Sequence, residues 1–159
     1  MDQYTVRSLA HATGISKSQV SLSLARCYEA RLARLDHLTQ LPQVNRRALC
    51  ELLVHGVKYI FLAKLGARAR GIPTAWAAPV LQGKILAGDT LPPVWPDADS
   101  SVVGFALEPI YKSVPQAVKQ DSRLYAMLAL LDSIRIGGAR ERGFASDLLT
   151  KMLEGKADV

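Results

Sequence analysis

Much of what marks an enzyme or a secreted scaffold is missing from this chain of 159 residues. It has two cysteines, Cys27 and Cys50, each within a helical pattern and neither with a second thiol at CxxC spacing. That offers no disulfide framework and leaves two buried thiols in a reducing compartment as the reading. Its three histidines, His11, His37 and His55, form no HxH or HxxxH pair, and no carboxylate stands at ligand spacing from them. Neither a metal nor another cofactor is therefore expected. No GxSxG elbow, Walker loop or GxGxxG turn occurs, so the chain is not expected to be an enzyme. No apolar run approaches the roughly 20 residues that cross a bilayer. The opening MDQYTVRSLAHATG lacks a basic region followed by an apolar block. A cytoplasmic protein with no membrane partner is the expectation.

What is present is ordinary globular composition, 49% apolar and 21% charged, in a chain long enough for one domain or two small ones. The net charge of +6 is unevenly placed. Residues 1–75 carry eleven Lys or Arg against four Asp or Glu, and residues 76–159 carry nine against ten. A basic front half favours a polyanionic partner, because each phosphate it neutralises releases counterions.

Periodicity predicts a first helix over 4–13, with Val6, Leu9 and Ala10 on one face and Thr5 as N-cap. Gly14 breaks it. Ser16 opens a second helix, and Ser16 with Gln19 makes the S-x-x-Q of a capping box. Val20, Leu24 and Cys27 continue its buried stripe, which can run on through YEARLARLD. HLTQLPQ reads as a loop. Asn45 caps a third helix that ends at Gly56. VKYIFLA, rich in β-branched and aromatic residues, reads as a strand; KLGARARG then reads as a basic tip and IPTAWAAP as the return. Residues 79–101, with LPPVWPDADSS, read as an irregular connector in which Trp76 and Trp95 pin loops to the core. VVGFALEP reads as a short strand and Pro115 as the first turn of a short helix. Asp121 caps SRLYAMLALLDSIRIG, the most apolar helix, and Gly137 and Gly138 separate it from a last amphipathic helix.

The chemistry concentrates in residues 6–25. A small residue in the first helix, Ala10, lets a second helix cross closely. Gly14 tolerates positive φ in the turn, Ile15 is apolar just past it, and Val20 and Leu24 anchor the second helix. In these positions the chain resembles the helix-turn-helix family of bacterial DNA-binding proteins. The resemblance implies that the second helix lies in the major groove, with Ser16, Lys17, Ser18, Gln19, Ser21 and Leu22 toward the bases and Arg26 toward the backbone. These residue types suit that task. Hydroxyls bond either base edge, lysine suits guanine, glutamine suits adenine, and leucine can touch a thymine methyl.

The segment 58–76, read as a hairpin projecting Lys64, Arg68 and Arg70, loosely resembles the wing of winged-helix regulators of the MarR type. The expected fold is mainly α with a small β-hairpin (α+β): a winged helix-turn-helix over 1–78, the connector over 79–101, and a helical dimerisation region over 102–159. Leu124, Met127, Leu128 and Leu131 are the expected dimer contacts, although the same helix suits an internal core. The expected function is a sequence-selective, homodimeric repressor of transcription that binds double-stranded DNA and occludes a promoter. The sequence indicates no particular small-molecule effector. The alternatives are a helix-turn-helix that contacts protein, or an antitoxin-like or accessory subunit of a nucleic-acid enzyme.

Overall fold

The computed structural model describes residues 4–85 and 88–157, so the outermost residues of the expected first and last regions, and 86–87 of the connector, lie outside the described residues. Helix accounts for about half of the chain, joined by two small sheets, which makes the architecture α+β. The order is α1 (Val6–Thr13), α2 (Lys17–Glu29), β1 (Ala33–Leu35), β2 (Pro42–Val44), α3 (Arg46–Glu51), a π-helical segment (Leu52–Gly56), α4 (Val57–Ile60), β3 (Leu65–Pro73), β4 (Pro93–Pro96), β5 (Val103–Leu107), α5 (Val114–Ala117), α6 (Ser122–Ile136) and α7 (Ala139–Leu153). Two 3-10 turns, Ala75–Ala77 and Pro79–Leu81, follow β3. Among the described residues no helix is long and apolar enough to cross a membrane.

Helix starts follow the expected caps. Thr5, Asn45 and Asp121 each accept from the backbone N–H three residues on, at 3.1, 3.2 and 2.9 Å. Strand assignment is where the structure departs from the sequence pattern. VKYIFLA is not a strand: helix continues through Gly56, widened by the π segment, and ends at Phe61. Val57 is buried on the α6 side, so tertiary packing overrides the β-branched composition. KLGARARG is not a tip either, and no hairpin forms over 58–76. Its residues lead into and form β3, which is antiparallel to both β4 and β5. β4 and β5 pair in parallel, so the three strands close on one another.

That closure explains two glycines. A Cβ on Gly71 would stand 2.1 Å from the Trp95 carbonyl oxygen, and one on Gly104 would stand 2.1 Å from that of Pro92. Backbone crosses backbone at both points, where only glycine fits. The expected connector is thus partly structural. Val80 and Leu81 are buried, and β4 draws residues 93–96 into a sheet whose first strand lies before residue 78. Trp95 pins a strand rather than a loop.

The core lies in the back half. Ala78, Leu81 and Trp95 meet Ala126, Ala129, Leu130 and Ile134 of α6 and Ala145, Leu149 and Met152 of α7. α6 is apolar nearly all round because it is enclosed nearly all round. Three of the four expected dimer contacts pack in or against this interior. Leu131 is buried, Met127 and Leu128 pack on the core cluster, and Leu124 is half-buried. The internal role of α6 therefore accounts for them. Cys27 and Cys50 are free and half-buried rather than fully enclosed, with Cys50 Sγ 3.3 Å from Thr150 Oγ1.

One polar cluster sits inside this core. Asp132 Oδ2 accepts from Thr74 Oγ1 and Trp95 Nε1, both at 2.7 Å, and Oδ1 accepts from Arg135 Nη1 at 2.7 Å. Arg135 donates onward from Nε to the Phe61 carbonyl at 3.0 Å, closing the end of α4, and from Nη1 to the Glu108 carbonyl at 3.4 Å. Burial pushes the Asp132 carboxyl above its ordinary pKa, against the pull of its three donors. Tyr125 packs on Trp95 with ring centroids 5.7 Å apart and donates to the Pro73 carbonyl at 2.5 Å. Its phenol is pushed up to about 12 by burial.

Breaking a buried ion pair from one side leaves an uncompensated charge, at a cost of roughly 3–5 kcal/mol. Asp132→Leu should lose stability on that scale. Asp132→Leu with Arg135→Met should lose less, because the stranded cation goes too. Urea unfolding midpoints at constant slope measure both. Equal losses would show that the pair carries no such coupling.

Candidate nucleic-acid interface

Near the end of α1 the Ala10 carbonyl accepts from Gly14 N at 3.0 Å. Gly14 adopts the left-handed conformation at φ 68, which releases the chain from α1. Its surroundings are also close: a Cβ there would lie 3.2 Å from Gln116 Oε1 and 3.3 Å from Ser113 Cβ. Ser113 Oγ donates to the Thr13 carbonyl at 2.6 Å. The turn is therefore fastened to the α5 region of the back half.

Ser16 then caps α2, its Oγ accepting from Gln19 N at 3.3 Å and lying 3.2 Å from Ser18 Oγ. Among the described residues no bond returns from the Gln19 side chain to Ser16, so only half of the capping box is made. Val20 is buried beneath α2, with Ile15, Leu24 and Cys27 half-buried on the same side.

The opposite face of α2 is open. Ser16, Lys17, Ser18, Ser21, Leu22 and Arg26 are exposed, Leu22 at 59%, while Gln19 is half-buried. Lys17, Ser18, Ser21 and Leu22 recur at helical spacing along one stripe. Arg26 Nη2 donates to Ser23 Oγ at 3.2 Å, which turns its guanidinium along the helix. No acidic residue stands in the first turn, so nothing opposes an anion there. The back half does not cover this surface.

Sequence periodicity missed the hairpin after α2. The helix stops at Glu29, and Arg31 takes φ 58. β1 and β2 then form an antiparallel hairpin in the register Ala33↔Val44, Arg34↔Gln43, Leu35↔Pro42. The supposed HLTQLPQ loop supplies its tip and second strand. Asp36 Oδ1 accepts from Leu38 N (3.1 Å), Thr39 N (2.8 Å) and Thr39 Oγ1 (2.9 Å). Pro42 sits in an edge strand, where its missing N–H costs no ladder bond. Asn45 ties the hairpin base to α2: its N donates to the Leu32 carbonyl at 2.8 Å, and Nδ2 to the Arg31 carbonyl at 3.1 Å. The readable signal was D-x-x-T before a proline, an Asx turn between two short apolar runs.

An open groove of about 990 Å³ runs between the end of α2 and this hairpin. Arg31, Arg34, His37 and Arg46 line it together with Tyr28 and Gln43, and no carboxylate is among its lining residues. Arg34 Nε donates to Gln43 Oε1 at 2.7 Å, which fixes the side chain across the two strands.

The residues expected at the interface thus separate into two groups. Those on α2, Gln19 apart, are exposed along the helix whose C-terminal end leads to the groove. Lys64, Arg68 and Arg70 do not project from a hairpin. Lys64 precedes β3, while Arg68 and Arg70 lie within it, opposite Phe105 and Val103 of β5. His11 lies on α1, His37 at the hairpin tip and His55 in the π segment, and among the described residues no three His, Cys, Asp or Glu side chains gather to hold a metal. Comparison with protein-family models, with curated proteins and with solved structures found no match to the chain.

The bonds from Thr39, and then from Leu38, hold the exposed Asp36 carboxyl below its usual range. A carboxyl whose folded pKa is depressed steadies the fold above its unfolded pKa of about 4 and loses that effect as pH falls through the folded value. The Leu38 and Thr39 amides should therefore lose exchange protection on acidification, and Asp36→Asn should remove that pH dependence. Protection that stays flat with pH in the unaltered chain would remove Asp36 as the organiser of the tip.

Proposed function

We propose that the chain is a sequence-selective, double-stranded DNA-binding regulator, acting as a homodimeric repressor by occluding a promoter. In this reading α2 enters the major groove and the β1–β2 hairpin serves as the wing. The observation that carries the reading is the presence of two features along and just beyond α2. One is the uncovered stripe of Lys17, Ser18, Ser21 and Leu22. The other is the carboxylate-free groove lined by Arg31, Arg34 and Arg46 past the C-terminal end of the same helix. A helix that reads base edges needs a small polar face, and the surface beside it needs cations for the phosphates.

The assignment of roles follows position. Lys17, Ser18, Ser21 and Leu22 meet base edges. Arg26, Arg31, Arg34 and Arg46 meet sugar-phosphate backbone, with Arg34 at the base of the wing. A single such module spans only a few base pairs, so useful selectivity needs two copies of α2 set about one helical turn apart. A protein-contacting helix-turn-helix, by contrast, needs no cationic groove beside its exposed face.

Gel shifts with genomic fragments at several salt concentrations test the reading. The protein should form a sequence-selective complex that survives competitor DNA. Lys17→Ala with Ser18→Ala should relax selectivity, each lost base contact being worth about 1–3 kcal/mol of discrimination. Arg34→Ala should weaken all sequences alike and lower the salt slope by about 1. Arg68→Ala with Arg70→Ala, on β3, is the control outside the interface and should change neither. Binding that is only salt-labile and unselective would contradict the proposal.

A further inference from the structure

Four consecutive large apolar side chains stand in solvent where helix passes into β3. Tyr59 is 73% exposed, Ile60 64%, Phe61 45% and Leu62 81%, and Leu65 adds a fifth at 42%. Fully free side chains of this kind present about 150–250 Å² when aromatic, so this short stretch of chain leaves on the order of 500 Å² of apolar side chain in solvent. That is within the range of the largest apolar patch on a typical monomer, roughly 300–600 Å², and such patches are often functional. The run is also held in place. Val57 anchors its helical end in the interior, and Arg135, paired with buried Asp132, donates to the Phe61 carbonyl.

The flanks of the run carry opposite charges. β3 and β5 pair as far as Leu65 opposite Leu107, and Lys64 and Glu108 are the residues next to that last pair along the chain. The same Arg135 guanidinium that bonds the Phe61 carbonyl reaches the Glu108 carbonyl at 3.4 Å, so Glu108 borders the apolar run. Both Lys64 and Glu108 are exposed, and among the described residues neither makes an ion pair within the chain.

We infer that this surface is the two-fold interface by which two copies of the chain pair. A two-fold contact applies one patch to itself, so it needs a patch that complements its own charges. An apolar centre with an adjacent lysine and glutamate meets that need, because each copy sets its Lys64 against the partner's Glu108. The apolar run alone falls short of the roughly 800 Å² per partner of a stable interface, so the flanking polar residues share the contact. The pairing supplies the second copy of α2 that the regulator reading calls for, and in that sense it rests on that reading. Its test does not use DNA. It also places the dimer contacts on residues more exposed than Leu124, Met127, Leu128 and Leu131.

Light scattering coupled to size exclusion, over a concentration series, reads the outcome. The unaltered chain should run at twice the monomer mass. Leu62→Arg should halve that mass while leaving the circular dichroism spectrum and the unfolding midpoint unchanged, as an exposed position allows. Lys64→Glu and Glu108→Lys should each weaken the dimer several-fold, and the two together should restore it, which a folding defect would not do. An unaltered chain at monomer mass throughout, a Leu62→Arg variant that stays dimeric, or a double reversal that stays weakened overturns the inference. A dimer without DNA selectivity leaves the interface standing and removes the regulator reading; a monomer that selects DNA does the reverse.

Discussion

A buried ion pair organises this molecule. Asp132 and Arg135 lie one turn apart on α6, both nearly enclosed, at 2.7 Å. Charges in that setting persist only when every remaining donor and acceptor is matched. Thr74 and Trp95 satisfy the carboxylate, and the carbonyls of Phe61 and Glu108 engage the guanidinium. Four separate stretches of chain are thereby fixed to one helix: the turn after β3, strand β4, the end of α4 and the segment after β5. An apolar core would hold these pieces together with less geometric precision, since hydrophobic burial has no direction.

From this centre, order reaches the front half by two routes. The first is helical. Arg135 closes α4, which is continuous through the π segment with α3, and α3 starts at Asn45, the residue that clamps the hairpin base to the end of α2. The second is the bond from Ser113 to the Thr13 carbonyl, which fastens the turn between α1 and α2 to the α5 region. A binding surface needs rigid support to within a fraction of a bond length. Here the front half, whose only fully buried apolar residues before β3 are Val20 and Val57 among the described residues, borrows that rigidity from the back.

Local chemistry was legible in the sequence wherever a side chain acts on its own neighbours. Thr5, Ser16, Asn45 and Asp121 cap the helices they were expected to cap, Gly14 turns left-handed, and the stripe of α2 expected to face outward does so. Long-range chemistry was not legible. VKYIFLA has a strand's composition, but Val57 and the Arg135 contact make it the end of a helix. Glycines read as turn markers in KLGARARG serve a strand crossing at Gly71, which depends on β4, more than twenty residues on. No sequence motif singles out Asp132, whose partners Thr74 and Trp95 lie far upstream in the chain. The hairpin at 33–44 was hidden because its strands span only three residues each, too few for alternation to show.

Everything proposed for function depends on whether the open stripe of α2 reads base edges. Sequencing the duplexes that the purified chain retains from a random pool, at a salt concentration that removes unspecific complexes, measures this directly. The expected result is an enriched motif of two inverted half-sites centred about one helical turn, roughly 10–10.5 base pairs, apart. Retained sequences distributed like the input pool would contradict it.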